Sequence, residues 1–347
     1  MVGGAFFWPS IFFGPMNPKQ TDMRGIVINK FGPAEVLEYE TLPDPVPEAD
    51  QVLIQTRGAS VNFADIKARS GSYHLGKKPP FSPGLDIAGV VLEVGNQVTD
   101  IKPGDHVIAF PIAGSYVEKA VANQDLTFAI PQSVDLTKAA AAVLVAGTAT
   151  HMLKHGARIR RNESLLVHAA AGGVGTAALQ VARALGITKV FGSIGSPWKE
   201  SHVKSMGAIG VVDYNSPDYA EEIIEITDNK GVDVILNPLG AETIERDLEC
   251  LAPFGRLVSF GELKDGISTV PQGGLYTANK TIIGLSFGHF RNNRPDSVRE
   301  TMSSVIDMLV NEQIDVDVSS CIPLERAAEA HRVLEERKTT GKIVLVP

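Results

Sequence analysis

The run His168-Ala169-Ala170-Ala171-Gly172-Gly173-Val174-Gly175 constrains this chain more than any other stretch. It follows the apolar segment Leu165 to Val167 directly and opens a segment whose apolar positions Val174, Ala178, Val181, Ala182 and Leu185 share one helical face. The pattern is AxGxxG, with Ala170 where a dinucleotide-binding turn usually carries its first glycine. Gly172 removes a side chain where backbone approaches a pyrophosphate, and Gly175 lets helix and strand pack closely. The backbone N–H groups of Gly173 and Val174 and the helix dipole then face the phosphates. The alternative is a tight connection with no ligand, but a strand before, a helix after and further αβ units favour a nucleotide.

Those units follow in order. Apolar strands are expected at Ser164 to His168, Lys189 to Ser193, Gly210 to Asp213, Val232 to Asn237, Arg256 to Phe260 and Thr281 to Ser286, with helical segments between them. This alternation predicts an α/β fold with a doubly wound parallel sheet. From Met23 to about Val145 the texture differs: short strands such as Gly25 to Asn29, Val52 to Thr56, Ile87 to Val94 and His106 to Phe110 are separated by Pro- and Gly-rich turns. That part reads as an irregular, mainly β domain. The tail from Pro295 adds helices at Ser297 to Asn311 and Leu324 to Lys338 and a strand at Lys342 to Val346, and periodicity alone does not assign it to either domain. A chain of 347 residues suits two domains.

The second nucleotide-domain strand should end in an acid if the ligand is NAD, because the ribose 2′-hydroxyl needs an acceptor. The chain instead reads Gly192-Ser193-Ile194-Gly195-Ser196-Pro197-Trp198-Lys199. Hydroxyls, Ser196 among them, and a lysine meet the position of a 2′-phosphate, so NADPH is the expected cofactor. Forty acids against thirty-two bases leave a formal charge of -8, which gives no basic field for nucleic acid. Cys250 and Cys321 are the only cysteines, so no disulfide framework exists and a reducing, cytoplasmic setting is expected. His74, His106, His151 and His155 have no thiolate partner in the first domain, which disfavours a catalytic zinc. Residues 1–22 hold an apolar cluster broken by Pro9, Gly14 and Pro15. It reads as a leader or tag, with a docking arm and a processed signal as alternatives. No other segment reads as long and apolar enough to span a bilayer, so membrane insertion is not expected.

Several strings together are similar to one family. Met23 to Val27, Pro33 to Glu38, Ser60-Val61-Asn62-Phe63-Ala64-Asp65, Arg69 to Tyr73, Pro83 to Gly89, the AAGGVG turn and Gly341 to Leu345 resemble the zinc-independent, zeta-crystallin-like quinone oxidoreductase branch of the medium-chain dehydrogenase/reductase superfamily. The resemblance covers Met23 to Pro347. It implies a GroES-like catalytic domain from residues 23–146 and 290–347, with a Rossmann NADPH-binding domain, 147–289, inserted between them. It further implies a homodimer through the strand near Thr281 to Ser286 and a small-molecule quinone or enone substrate. By position, Asn62 contacts the nicotinamide or its ribose, Tyr73 stands beside the substrate, and Lys199 with Tyr214 holds the 2′-phosphate. The backbone of Leu239, Phe260 and Gly261 lines the nicotinamide side. The family's nicotinamide-side threonine falls at Ala149 here, between Thr148 and Thr150, and Thr148 is the residue assigned to the cofactor. Asn237-Pro238-Leu239-Gly240 resembles a sub-branch of vesicle-membrane proteins and polyketide enoyl reductases. Three functions follow: a reductase of quinones or α,β-unsaturated carbonyls, a trans-acting enoyl reductase, and an NADPH-binding protein without turnover.

Overall fold

The computed structural model describes residues 21–73, 77–261, 263, 269–270 and 272–347. The leader expected over residues 1–22 lies outside these apart from Thr21 and Asp22, and His74 lies outside them as well. The first part of the chain forms β1 (Asp22–Ile28), β2 (Leu37–Pro43), β3 (Gln51–Ser60), α1 (Phe63–Ser70), β4 (Ile87–Val94), β5 (His106–Ala109), β6 (Lys119–Asn123), β7 (Thr127–Ile130) and α2 (Leu136–His151). β1 and β2 pair as an antiparallel ribbon. The other strands build a mostly antiparallel sheet in the order β3-β4-β5-β7, with β6 on the other edge of β3. Regular alternation is interrupted by shifts of register between β3 and β4, so strand periodicity is blurred in the sequence.

The second part supplies β8 (Ser164–Val167), α3 (Gly173–Ala184), β9 (Lys189–Ile194), α4 (Glu200–Ser205), β10 (Gly210–Asp213), α5 (Tyr219–Ile226), β11 (Val232–Asn237), α6 (Ile244–Cys250), β12 (Leu251–Ser259), α7 (Gln272–Thr277) and β13 (Thr281–Gly284). Their parallel sheet runs β10-β9-β8-β11-β12-β13. The order reverses beside β8, the strand that feeds the glycine turn, and ligands in such sheets bind at that switch point. All four residues of β8 are buried, as expected of a strand covered on both faces. The sixth strand ends at Gly284 and not at Ser286, because Ser286 caps the next helix by accepting from the His289 N–H.

The tail comprises α8 (Phe287–Asn293), α9 (Pro295–Val310), β14 (Val318–Pro323), α10 (Ala327–Glu335) and β15 (Lys342–Val346). β15 pairs with β3 and β14 with β15, so the tail extends the first sheet. Hydrophobicity could not make that assignment, since the pairing partner lies far back in the sequence. α2 ties the two sheets together: it packs on α3 and α9 on one side and on β3 and β4 on the other. Ala139, Ala140, Ala141 and Ala142 are all fully buried, their small side chains permitting close approach on several faces. With its π-turn continuation Met152–Gly156, this helix is long and apolar enough to cross a membrane by length and composition, contrary to the sequence expectation. It is the core helix of the molecule, with 78% of its most apolar window buried against protein.

Candidate active site at the interdomain seam

Asn62 stands between β3 and α1. Its backbone N–H donates to the Asp65 carboxylate at 2.8 Å, one half of a capping box that fixes the start of the helix. Its side chain is buried and fully engaged: Nδ2 donates to Asp86 Oδ1 at 2.8 Å, and Oδ1 accepts from Lys342 Nζ at 2.6 Å. Asp86 also accepts from Ser60 Oγ and from the backbone N–H of Leu144 in α2, at 2.8 and 3.1 Å. Lys342, the first residue of β15, adds a 2.6 Å bond to the Val61 carbonyl. Burial pushes the Asp86 carboxyl up and the Lys342 ammonium down, and each is drawn back by the other's charge.

A second branch leaves Asp65. Burial, with Asp86 adding, raises this carboxyl to about 7 while its backbone bond from Asn62 opposes the shift. Tyr116 OH donates to Asp65 at 3.1 Å and sits 3.1 Å from His331 Nε2 on α10. Burial holds that imidazole near 3, hence neutral. Arg69 lies 3.4 Å from the other ring nitrogen and pairs with Glu335 at the surface. Buried polar groups are thus matched from the seam outward, as their desolvation requires.

Lys342 joins this network to the glycine turn. A Cβ placed on Gly173 would sit 2.7 Å from Lys342 Cδ, so the two domains meet at that residue. A Cβ on Gly175 would lie 2.6 Å from Ala170 Cα, which is the close helix-to-strand approach the motif predicts. Gly172 is exposed, Gly173 and Val174 are half-buried, and Ala169 just before them adopts the left-handed region at φ 50°. At the end of β9, Ser196 and Lys199 are half-buried, and Tyr214 places its hydroxyl against Gly195. Lys199 Nζ donates to the Arg337 carbonyl at 2.9 Å. Burial and the Arg337 charge both lower the lysine's pKa, so two cations share this corner. Sequence reasoning missed Arg337, which is remote in the chain.

The opposite wall is built from a buried network. Asp247 on α6 accepts from Tyr219 OH at 2.7 Å and from Asn237 Nδ2 at 2.6 Å, and sits 2.6 Å from His168 Nε2. Asn237 Oδ1 in turn accepts from the Leu239 and Gly240 N–H groups at 2.7 and 3.1 Å, and its carbonyl takes the Phe260 N–H at 3.0 Å. The loop therefore has a fixed shape. Gly261 follows at φ 61°, exposed and with open space around its α-carbon. On α2, Thr148 retains a little exposure while Ala149 and Thr150 have none, so Thr148 is the residue of the three that can meet a ligand.

Tyr73 lies just past α1, half-buried. Burial raises its phenol, the charge of Arg291 opposes, and Asp65 reinforces, so these three groups share one electrostatic neighbourhood. The structure thus brings Asn62 and Tyr73 to one side of the seam, with Gly172, Gly173, Val174 and Thr148 against the other. It occupies the Asn62 side chain with Lys342 and Asp86, which sequence reasoning had not placed there. All three residues stood in strings that identified the family, without a signal of their pairing.

The exposed N-terminus of α3, the close Gly175 contact and the Lys199 and Arg337 corner fit a phosphorylated dinucleotide. Among the described residues no group of three His, Cys, Asp or Glu could hold a metal. Cys250 is buried in the α/β domain with its thiol pushed up by burial, and Cys321 is exposed on β14.

A mainly β domain completed by the tail, closed on a parallel six-stranded α/β domain, defines a two-domain dehydrogenase/reductase. Residues 48–132 match the alcohol dehydrogenase GroES-like domain, and residues 173–310 match the zinc-binding dehydrogenase family. The chain is 34% identical to a mouse quinone oxidoreductase over 93% of its length and 98% of that protein's. It is 31% identical to a rat synaptic vesicle membrane protein VAT-1 homolog, covering 94% of this chain and 84% of that one. The structure of Escherichia coli quinone oxidoreductase complexed with NADPH superposes with a TM-score of 0.86 at 31% identity, over 93% of this chain and all of that one. The chain belongs to the quinone oxidoreductase family of the medium-chain dehydrogenase/reductase superfamily.

Proposed function

We propose that this oxidoreductase uses NADPH to reduce quinones or α,β-unsaturated carbonyl compounds without a metal. The observation that carries the reading is the pairing of an open glycine turn with the Lys199 and Arg337 corner at the end of β9, a strand whose own last residues include no acid. NADPH, when bound, supplies a hydride. The turn's N–H groups hold the pyrophosphate, Ser196, Lys199, Tyr214 and Arg337 face the 2′-phosphate, and Thr148 with the Leu239, Phe260 and Gly261 backbone orients the nicotinamide side. Asn62 acts as a positioning residue: bonded to Lys342 and Asp86, it locks β3, β4 and β15 at the wall where the nicotinamide lies. Tyr73, kept protonated by burial, donates to the oxygen on which negative charge develops.

A second reading is an NADPH-binding protein without turnover, since the chain is similar to a synaptic vesicle membrane protein VAT-1 homolog as well as to quinone oxidoreductases. The edge strand β13 is partly exposed, and we propose it as the pairing edge of a homodimer. NADPH oxidation measured against a panel of benzoquinones, enals, enones and enoyl thioesters, with and without prolonged chelation, tests the function. Reduction of at least one class, unchanged by the chelator, is expected. Tight NADPH binding with no oxidation by any acceptor would favour the second reading, and loss of activity on chelation would overturn the metal-free chemistry.

A further inference from the structure

Arg291 is a buried guanidinium that forms no ion pair with any of the described residues. It sits on α8, 9% exposed, and makes one 3.3 Å bond from Nη1 to the Leu85 carbonyl. Its guanidinium carbon lies 4.7 Å over the Phe110 ring, and Nε is buried with no hydrogen-bond partner. Burial of a charge is costly unless an opposite charge meets it. The carboxylates in its field are engaged elsewhere: Asp86 by Ser60, Asn62 and Leu144, and Asp65 by Asn62 and Tyr116. Lys77 lies in the same field, beside the Phe81 ring.

The position of Arg291 tells which anion is missing. Contacts run from Gly173 to Lys342, then to Asn62, to Asp86, and through its neighbour Leu85 to Arg291. Several residues thus intervene between the pyrophosphate end and Arg291, whereas Tyr73 shares the field of Arg291 directly. The anion that Arg291 awaits belongs to the acceptor and not to the cofactor.

We propose that Arg291 binds a carboxylate on the substrate, so that the preferred acceptors are α,β-unsaturated carbonyl compounds carrying a carboxylate group. The inference rests on the reductase reading above. A guanidinium presents its N–H groups as a planar fork that matches a carboxylate in two-pronged fashion, and the Phe110 ring lies against this one. The acceptor would lie with its acid end at Arg291 and its carbonyl oxygen toward Tyr73. The reaction is balanced by one hydride from NADPH to the β-carbon and one proton to the α-carbon after the enolate forms, turning acetylacrylate into levulinate and leaving NADP.

The test compares acid and methyl ester in the same protein preparation. For the full chain with NADPH, kcat/KM for acetylacrylate should exceed that for its methyl ester by at least about tenfold, since hydrogen bonds to charged groups contribute on the scale of a tenfold change or more. With NADPH-loaded protein, which needs no turnover, calorimetry should find levulinate bound at least about tenfold more tightly than methyl levulinate. Arg291→Gln should bring both ratios close to one, and Arg291→Lys should keep part of the preference. Because each figure is a ratio within one sample, partial loss of folded protein cancels. Equal handling of acid and ester by the wild type, or a preference that survives Arg291→Gln, would overturn the proposal. Selective levulinate binding without reduction of any acceptor would uphold the carboxylate site and refute the reductase reading, whereas turnover of both forms at equal rates would do the reverse.

Discussion

Lys199 shows how the surroundings of one residue set the size of its expected effect. Its ammonium already donates to the Arg337 carbonyl and feels the Arg337 charge, so a phosphate placed there would meet two cations. Charge-assisted contacts contribute about 1.5–3 kcal/mol each, and Arg337 remains when Lys199 is removed. Lys199→Ala should therefore weaken NADPH binding by about tenfold, and the Lys199→Ala/Arg337→Ala pair by about a hundredfold, with NADH affinity unchanged. Fluorescence titration with both cofactors checks this, and equal losses for NADH would remove the phosphate role. Tyr73 makes a second case. Burial keeps its phenol protonated, and general-acid assistance typically supplies about 10²–10⁴-fold. Tyr73→Phe should lower kcat for enones by at least about tenfold with NADPH affinity intact, and affect quinones less, because their product oxygens take protons readily from water. Unchanged enone turnover would leave Tyr73 as a wall of the pocket.

α2 carries a pH dependence of its own. His151 is fully buried at its C-terminal end, with Nδ1 2.8 Å from Thr301 Oγ1 on α9 and its ring among His155, Phe287 and Phe290. Burial, with the His155 charge adding, lowers its pKa from 6.5 to about 4. The folded chain thus favours the neutral imidazole, so the stability this group contributes is complete above 6.5 and is lost as pH falls toward 4. At pH 5 the loss amounts to roughly 2 kcal/mol, taking 1.36 kcal/mol per unit. Thermal melts should fall between pH 7 and pH 5, and His151→Phe, which keeps an aromatic ring among its neighbours, should flatten that fall. An unchanged slope would show that other groups carry it, His331 first among them.

The same elements explain what could be read beforehand. The glycine turn was legible because strand, turn and helix are adjacent in the chain, and Gly210 to Asp213 and Val232 to Asn237 were legible as short segments centred on Val, Ile and Leu. β2, β6, β7 and β14 and helix α1 were not identified, since they are short and bulged or ribbon-like strands and one small helix with a mixed surface. The Asn62 network escaped for a different reason: its bonds join residues 24 and 280 positions apart, and no local pattern announces such pairings. The absence of an ion pair between Arg291 and any other described residue is likewise a property of the packed molecule alone.

At the scale of the whole molecule, two sheets meet through α2 and through Lys342, and the proposed reaction belongs to the seam between them. The α/β domain presents its glycine turn and the Leu239 loop, while the other domain contributes Asn62, Tyr73 and Lys77, with Arg291 of α8 held to its Leu85 carbonyl. Chemistry at such a junction needs no metal if N–H and O–H donors meet the oxygen that gains charge. The most direct test of this account is the fate of the transferred hydrogen. NADPH carrying deuterium at its transferring position should give, with an enone acceptor, a saturated ketone that bears deuterium on the carbon β to the carbonyl, one NADP appearing per ketone formed. A product with only solvent hydrogen at that carbon, or NADPH consumed without reduced ketone, would contradict hydride transfer in this site.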